Sequence, residues 1–206
     1  MKVRRGLALL ALLGALLVPV WLPALGSWLT SEDPLQPADV ALVMEGTGSD
    51  AMAAAEAWRQ AGLVREVVIV EAPIKTHALV AYWTDFVRWG IARPAPTPAE
   101  HLRVVRAPST LSAEQARAAL PALEKLGAHS LLVPGGGGIG TRLVARDLAS
   151  VLGPNGIGVR LVRVAAPLRD PSAWYTNADD RRAVLDSWLQ LLLPFLSAYE
   201  PLPAGS

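Results

Sequence analysis

The feature that most constrains this chain is an alternation, sustained from about residue 39 to residue 199, between short β-branched runs and longer, alanine-rich amphipathic stretches. Short apolar runs bounded by turn formers read as buried strands, and apolar positions at helical spacing read as helices packed on them. Strands are predicted at 40–44, 67–70, 102–106, 130–133 and 159–164, and helices at 51–61, 76–89, 112–126, 141–152 and 179–198. Strict alternation implies a parallel sheet covered on both faces. The predicted fold class is α/β, with a five-stranded, mainly parallel sheet and helices on both sides. Its length suits one domain with a full core and is too short for two ordinary ones.

Ahead of this region stand Lys2, Arg4 and Arg5, then an uncharged, mostly apolar stretch from Gly6 to Leu29. That length fits a transmembrane helix of about 20 residues. Basic residues on its N-terminal side alone keep that end in the cytoplasm and send the remainder across the membrane. The predicted organisation is an anchor at 1–30, a linker with Pro34 and Pro37 at 31–38, the α/β domain at 39–199 and a tail at 200–206. This makes a single-pass protein of the cytoplasmic membrane, contacting it through residues 6–29, with an extracytoplasmic domain. The alternative is a secreted protein cleaved near Gly26, because Ala24-Leu25-Gly26 before Ser27 resembles a signal-peptidase site. A second apolar run, 189–196, is too short to span a bilayer, and Pro194 would kink or end it. It is expected to pack on the sheet.

Composition removes several functions. The formal net charge is +1 and the arginines are scattered between acids, so nothing favours nucleic acid as a partner. There is no cysteine, hence no disulfide, thiolate zinc site or cysteine nucleophile. No cofactor and no metal are predicted.

In an open parallel sheet, ligands bind beyond the carboxyl ends of the strands. His101 and His129 each precede a predicted strand and so belong to the opposite edge. His77 follows the second strand with Glu71, a pair capable of acid-base work but with nothing to orient it. After the first strand comes Glu45-Gly46-Thr47-Gly48-Ser49-Asp50, where glycines permit close backbone approach and Asp50 could equally cap the next helix. After the third strand come Ser109 and Thr110, with Ser112 a candidate cap and Glu114 in the helix's first turn. After the fourth comes Pro134-Gly135-Gly136-Gly137-Gly138-Ile139-Gly140-Thr141-Arg142. There, backbone amides, a hydroxyl and a guanidinium at a helix start suit a phosphate or carboxylate. The predicted anion-binding set is Gly46, Gly48, Ser109, Thr110, Gly137, Gly138, Thr141 and Arg142. Glu45, Asp50 and Glu71 are weak catalytic candidates.

Other motifs point away from familiar enzymes. Gly135, Gly137 and Gly140 satisfy G-x-G-x-x-G only because glycines are consecutive, and Val164-Ala165-Ala166 lacks the acid a dinucleotide site needs. Neither a Walker loop nor a G-x-S-x-G elbow is present.

The order of motifs resembles the envelope-associated ElyC/SanA/YdcF family over roughly residues 38–196. The resemblance rests on the apolar N-terminal segment and on the opening Ala38-Asp39-Val40-Ala41-Leu42-Val43-Met44-Glu45-Gly46. It continues in the helix 53–62 ending in Gly62, in Phe86-Val87-Arg88-Trp89-Gly90-Ile91, in Ser109-Thr110 with Glu114, and in Trp174-Tyr175. The family's Ser-x-x-His-x-x-Arg-Ala motif is altered here: Gly136 stands for the serine and Ile139 for the histidine, and Arg142 remains. The family's first-helix arginine falls near Ala51, its Ser-Gly after the second strand becomes Glu71-Ala72, and its later Glu and Lys become Ser187 and Gln190.

The resemblance implies a Rossmann-like, doubly wound domain with a role in the cell envelope, in peptidoglycan or lipid-carrier metabolism. With isoleucine in place of histidine, catalysis is left open. The expectation is a divergent member that binds an anionic, phosphorylated envelope metabolite or lipid headgroup, or acts as a non-catalytic scaffold. The alternative is an enzyme acting on a phosphorylated sugar or lipid-linked precursor.

Overall fold

A computed structural model describes residues 18–75, 80–90, 92–135, 138–164 and 170–197. The chain forms two compact units, one of Ser31–Gly137 with Val144–Ala166 and one of Met1–Thr30, Gly138–Leu143 and Pro167–Ser206.

The larger unit is built on a five-stranded, wholly parallel sheet: β1 (Val40–Val43), β2 (Glu66–Glu71), β5 (Leu102–Arg106), β6 (Ser130–Pro134) and β7 (Gly158–Val162), in the order β5-β2-β1-β6-β7. The central strand β1 is buried along its whole length, as its unbroken apolar sequence requires. Alternate side chains serve opposite faces. Val40, Leu42, Val68, Val70, Leu131 and Val133 share a core with helices α4 (Ser112–Lys125) and α5 (Thr141–Leu152), through Ala116, Ala119, Leu123, Leu148 and Leu152. Ala41, Val43, Val67, Ile69 and Leu132 pack with Ala51, Ala55 and Trp58 of α2 (Gly48–Gln60). This is a Rossmann-like α/β fold. Strand order reverses between β1 and β6, which marks the switch point where such sheets open a crevice.

Asp39 organises the opposite edge. Its carboxylate accepts from the His129 and Ser130 N–H groups and the Ser130 hydroxyl, each at 3.0 Å, and pairs with Arg65 at 2.9 Å. The His129 hydrogen bond, with the others, holds its pKa below the ordinary value. His101, beside Glu66 at 3.3 Å, lies just before β5, on the edge predicted for it.

One predicted element is corrected. Of the stretch read as a helix over 76–89, residues 76–79 lie outside the described residues, Val80–Ala81 form a strand, β4, paired antiparallel with β3 (Ile74–Lys75), and a brief helix, α3, spans Trp83–Arg88. The physical cause lies in two carboxylates. Glu71 captures the Thr84 N–H at 2.9 Å, and Asp85 captures the Tyr82 N–H at 3.0 Å, which fixes the helix start at Trp83.

In the smaller unit, α1 (Val18–Trp28) meets a 3-10 turn, Pro171–Thr176, and α6 (Ala178–Ser197). The Trp174 indole donates to the Leu22 carbonyl at 2.6 Å, and a Cβ at Gly26 would overlap the Pro171 carbonyl and the Trp174 ring. Leu29, Trp174 and Val184 form the core, joined by Leu22, Leu25, Ile139, Trp188 and Leu191. The run 189–196, expected to pack on a sheet, belongs to this helical unit. Val184, Trp188 and Leu191 fill its core, while Leu185, Leu189, Leu192 and Leu193 are exposed. Much of the predicted membrane segment 6–29 lies outside the described residues. Among those described, no helix is long and apolar enough to cross a membrane.

Candidate functional site

The carboxyl end of β1 is shaped by one obligatory turn. Gly46 takes φ +89°, a left-handed conformation that side chains disfavour, and the Thr47 hydroxyl closes the turn on the Met44 carbonyl at 2.6 Å. Gly135, at φ +122°, sits against Thr47 across the switch point, so the β1 and β6 loops adjoin. Gln115 of α4, fully buried, ties the edge together: its Oε1 accepts from the Glu45 N–H at 2.8 Å and its Nε2 donates to the Thr110 carbonyl at 3.0 Å.

Beside this turn lies a cleft of about 590 Å³. It is lined by Met44, Ile69 and Val70 at the ends of β1 and β2, by Glu45, Thr47, Ser49 and Met52 around the start of α2, and by Trp83, Arg93, Pro94 and Pro96. Burial pushes the Glu45 pKa up, and the nearby Glu71 charge adds to this, against opposing hydrogen bonds from the Gly46 and Ala72 amides.

The other carboxylates predicted for chemistry do not join Glu45. Glu71 is 1% exposed and saturated: Oε1 takes the Arg106 guanidinium at 2.8 Å and the Thr84 hydroxyl at 3.0 Å, and Oε2 takes the Thr84 N–H. Its role is to hold α3 and β5 together. Asp50 is exposed in the first turn of α2 and is not in the cleft lining. The cap position of α2 is Thr47, which makes no side-chain cap, so Asp50 lies in the first turn and does not take the capping place open to it.

The predicted anion set is distributed. Gly46 lines the cleft and Gly48 opens α2. The Ser109 hydroxyl donates to Glu114 and accepts from the Leu111 N–H at 3.2 Å, which pins the loop before α4. Ser112 is the first residue of that helix, not its cap, which falls on Leu111. Thr110 is exposed. Gly137 and His77 lie outside the described residues.

In the smaller unit, the Gly138 carbonyl accepts from the Thr141 N–H and hydroxyl. Arg142 stacks over Trp28, with its guanidinium 4.5 Å from the ring centroid, and reaches the Thr30 carbonyl at 3.4 Å. Both contacts lie inside its own unit, and the side chain is exposed.

Gln115, Trp83, Met52 and Arg93 were not singled out from the sequence. The signal for the last is the proline-rich stretch 92–98, which lengthens the connection to β5. Prolines cannot join the sheet's ladder, and here two of them wall the cleft. Among the described residues, no three His, Asp or Glu side chains converge to hold a metal ion. Chemically, the cleft offers apolar walls, one carboxyl biased toward its neutral form, one exposed guanidinium and two hydroxyls near a helix start. No protein-family model matches this chain, and no curated protein matches it either.

Proposed function

We propose that this chain is a divergent member of the ElyC/SanA/YdcF family, anchored in the cytoplasmic membrane by its N-terminal segment with the Rossmann-like domain outside. It acts by binding an anionic envelope metabolite, a phosphorylated sugar or lipid headgroup. The observation that carries this is the cleft at the carboxyl ends of β1 and β2. Its volume lies within the usual range of small-molecule sites, about 300–1,000 Å³. Arg93 and the start of α2 supply attraction for negative charge, and Trp83, Met52 and the prolines take the ligand's apolar body. Binding is favoured over turnover because, among the described residues, no second carboxylate or histidine lines the cleft beside Glu45 to complete an acid-base pair.

A second reading, an enzyme using Glu45 as a general acid, draws on its raised pKa. Thermal unfolding of the full chain in detergent, with phosphate, sugar phosphates, nucleotides and polyprenyl-phosphate headgroup analogues, tests the proposal. A true ligand at a hundredfold excess over its Kd should add about 2.7 kcal/mol. Stabilisation without product would support binding, product would support the enzyme, and no response to any anion would reject both.

A further inference from the structure

The unexplained surface of this molecule is the outer side of α6. Leu185, Leu189, Leu192 and Leu193 are 58%, 55%, 48% and 57% exposed. At 3.6 residues per turn they fall within an arc of about 100°. The helix is also divided along its length. Asp179, Asp180, Arg181, Arg182 and Asp186 occupy its first half, and no charged residue occurs from Ser187 to Ser197. An exposed stripe of four leucines on an uncharged helix end is ordinarily covered, by protein or by hydrocarbon.

The same unit identifies what covers it. Trp28 stacks on Trp188 with centroids 4.9 Å apart, and the Trp174 indole holds the Leu22 carbonyl, so α6 is fastened to α1. Helix α1 is the end of the uncharged run from Gly6, whose Lys2, Arg4 and Arg5 flank suits an anchor. Trp21 and Trp28 on α1 are themselves 44% and 45% exposed, and tryptophan favours the headgroup level.

We infer that the leucine face of α6 is a second membrane-contacting surface, lying in the interface of the same bilayer that holds the N-terminal segment. It thereby keeps the smaller unit on the lipid. This rests on the anchor reading above and adds to it an interfacial helix of the kind that buries its apolar side about 5–10 Å into the headgroup boundary.

The absence of cysteine allows a clean test. Single variants Leu189→Cys and Leu193→Cys of the full chain, each nitroxide-labelled, are placed in phosphatidylethanolamine and phosphatidylglycerol vesicles. Collision with a lipid-soluble relaxant is compared with collision with a water-soluble one. Leu12→Cys reports the anchor, and Ala57→Cys, exposed on α2, reports a water-facing position. The inference expects lipid-phase contact at 12, 189 and 193 and aqueous contact at 57. Lipid at 12 with water at 189 and 193 would overturn it and leave the anchor standing. Water at 12 and at both leucines would overturn both. Spin-spin coupling between the leucine labels of different molecules, without lipid contact, would assign the face to a second copy of the chain and also overturn it.

Discussion

Glu71 shows how a residue with a catalytic appearance can be structural. Its buried charge is balanced by Arg106 and by two donors from Thr84. Removing the carboxylate leaves the Thr84 N–H and hydroxyl without their acceptor, and an unsatisfied buried group costs about 1–3 kcal/mol. Glu71→Ala should therefore lose stability of that order in urea unfolding. A neutral effect would mean that the network is not native. Glu45 and Glu56 give opposite pH signatures. Glu56, hydrogen-bonded first by Arg59 and also by Gln60, has its pKa lowered from 4.5 to about 2. Its contribution is complete above pH 4.5 and is lost as pH falls toward 2, so Glu56→Gln should flatten the acid limb of the stability curve. Glu45 is raised on folding from 4.5, so the native state holds its proton longer and loses stability as pH rises from 4.5 to the raised value. Glu45→Gln should therefore raise Tm at neutral pH and leave it unchanged in acid. A lower Tm at neutral pH would contradict the burial assigned to this carboxyl.

At the scale of elements, Gln115 and Gly26 are the joints whose loss should be felt farthest. Gln115→Leu leaves the Glu45 N–H and the Thr110 carbonyl without their partner, and an unsatisfied buried group costs about 1–3 kcal/mol. Denaturant midpoints measure the loss, which Gln115→Glu should partly restore to the Glu45 amide. Gly26→Ala puts a methyl into the Pro171 carbonyl and should dissolve the near-ultraviolet circular dichroism of the Trp28, Trp174 and Trp188 cluster. An unchanged spectrum would argue against the α1 packing. The three inner strands were legible because burial on both faces leaves an unbroken apolar run, and the edge strands β5 and β7, interrupted by Arg103 and Arg160, because their valines still form short β-branched runs. The helix predicted across 76–89 was misread because what starts α3 at Trp83 is a carboxylate from β2, a contact distant in sequence. The cleft was legible only in part for the same reason: Glu45 and Gly46 sit where strand-end logic points, whereas Trp83 and Arg93 arrive there through the path of a loop.

The molecule as a whole comprises a Rossmann-like unit carrying the β1–β2 cleft and a helical unit that includes the end of the N-terminal segment. Because Leu22, Leu25 and Leu29 belong to the helical core, cleavage near Gly26 would cut into folded structure. The mature chain should therefore retain its residues before Ser27, which N-terminal sequencing of protein purified from membranes would check. The central claim is that ligand recognition belongs to the β1–β2 cleft and not to the glycine tract before α5. Comparing Arg93→Ala with Arg142→Ala, each titrated with the anion that most stabilises the parent chain, tests this most directly. Arg93→Ala should lose the stabilisation, while Arg142→Ala, which removes a side chain resting on Trp28, should keep it. Loss in Arg142→Ala with full retention in Arg93→Ala would contradict it.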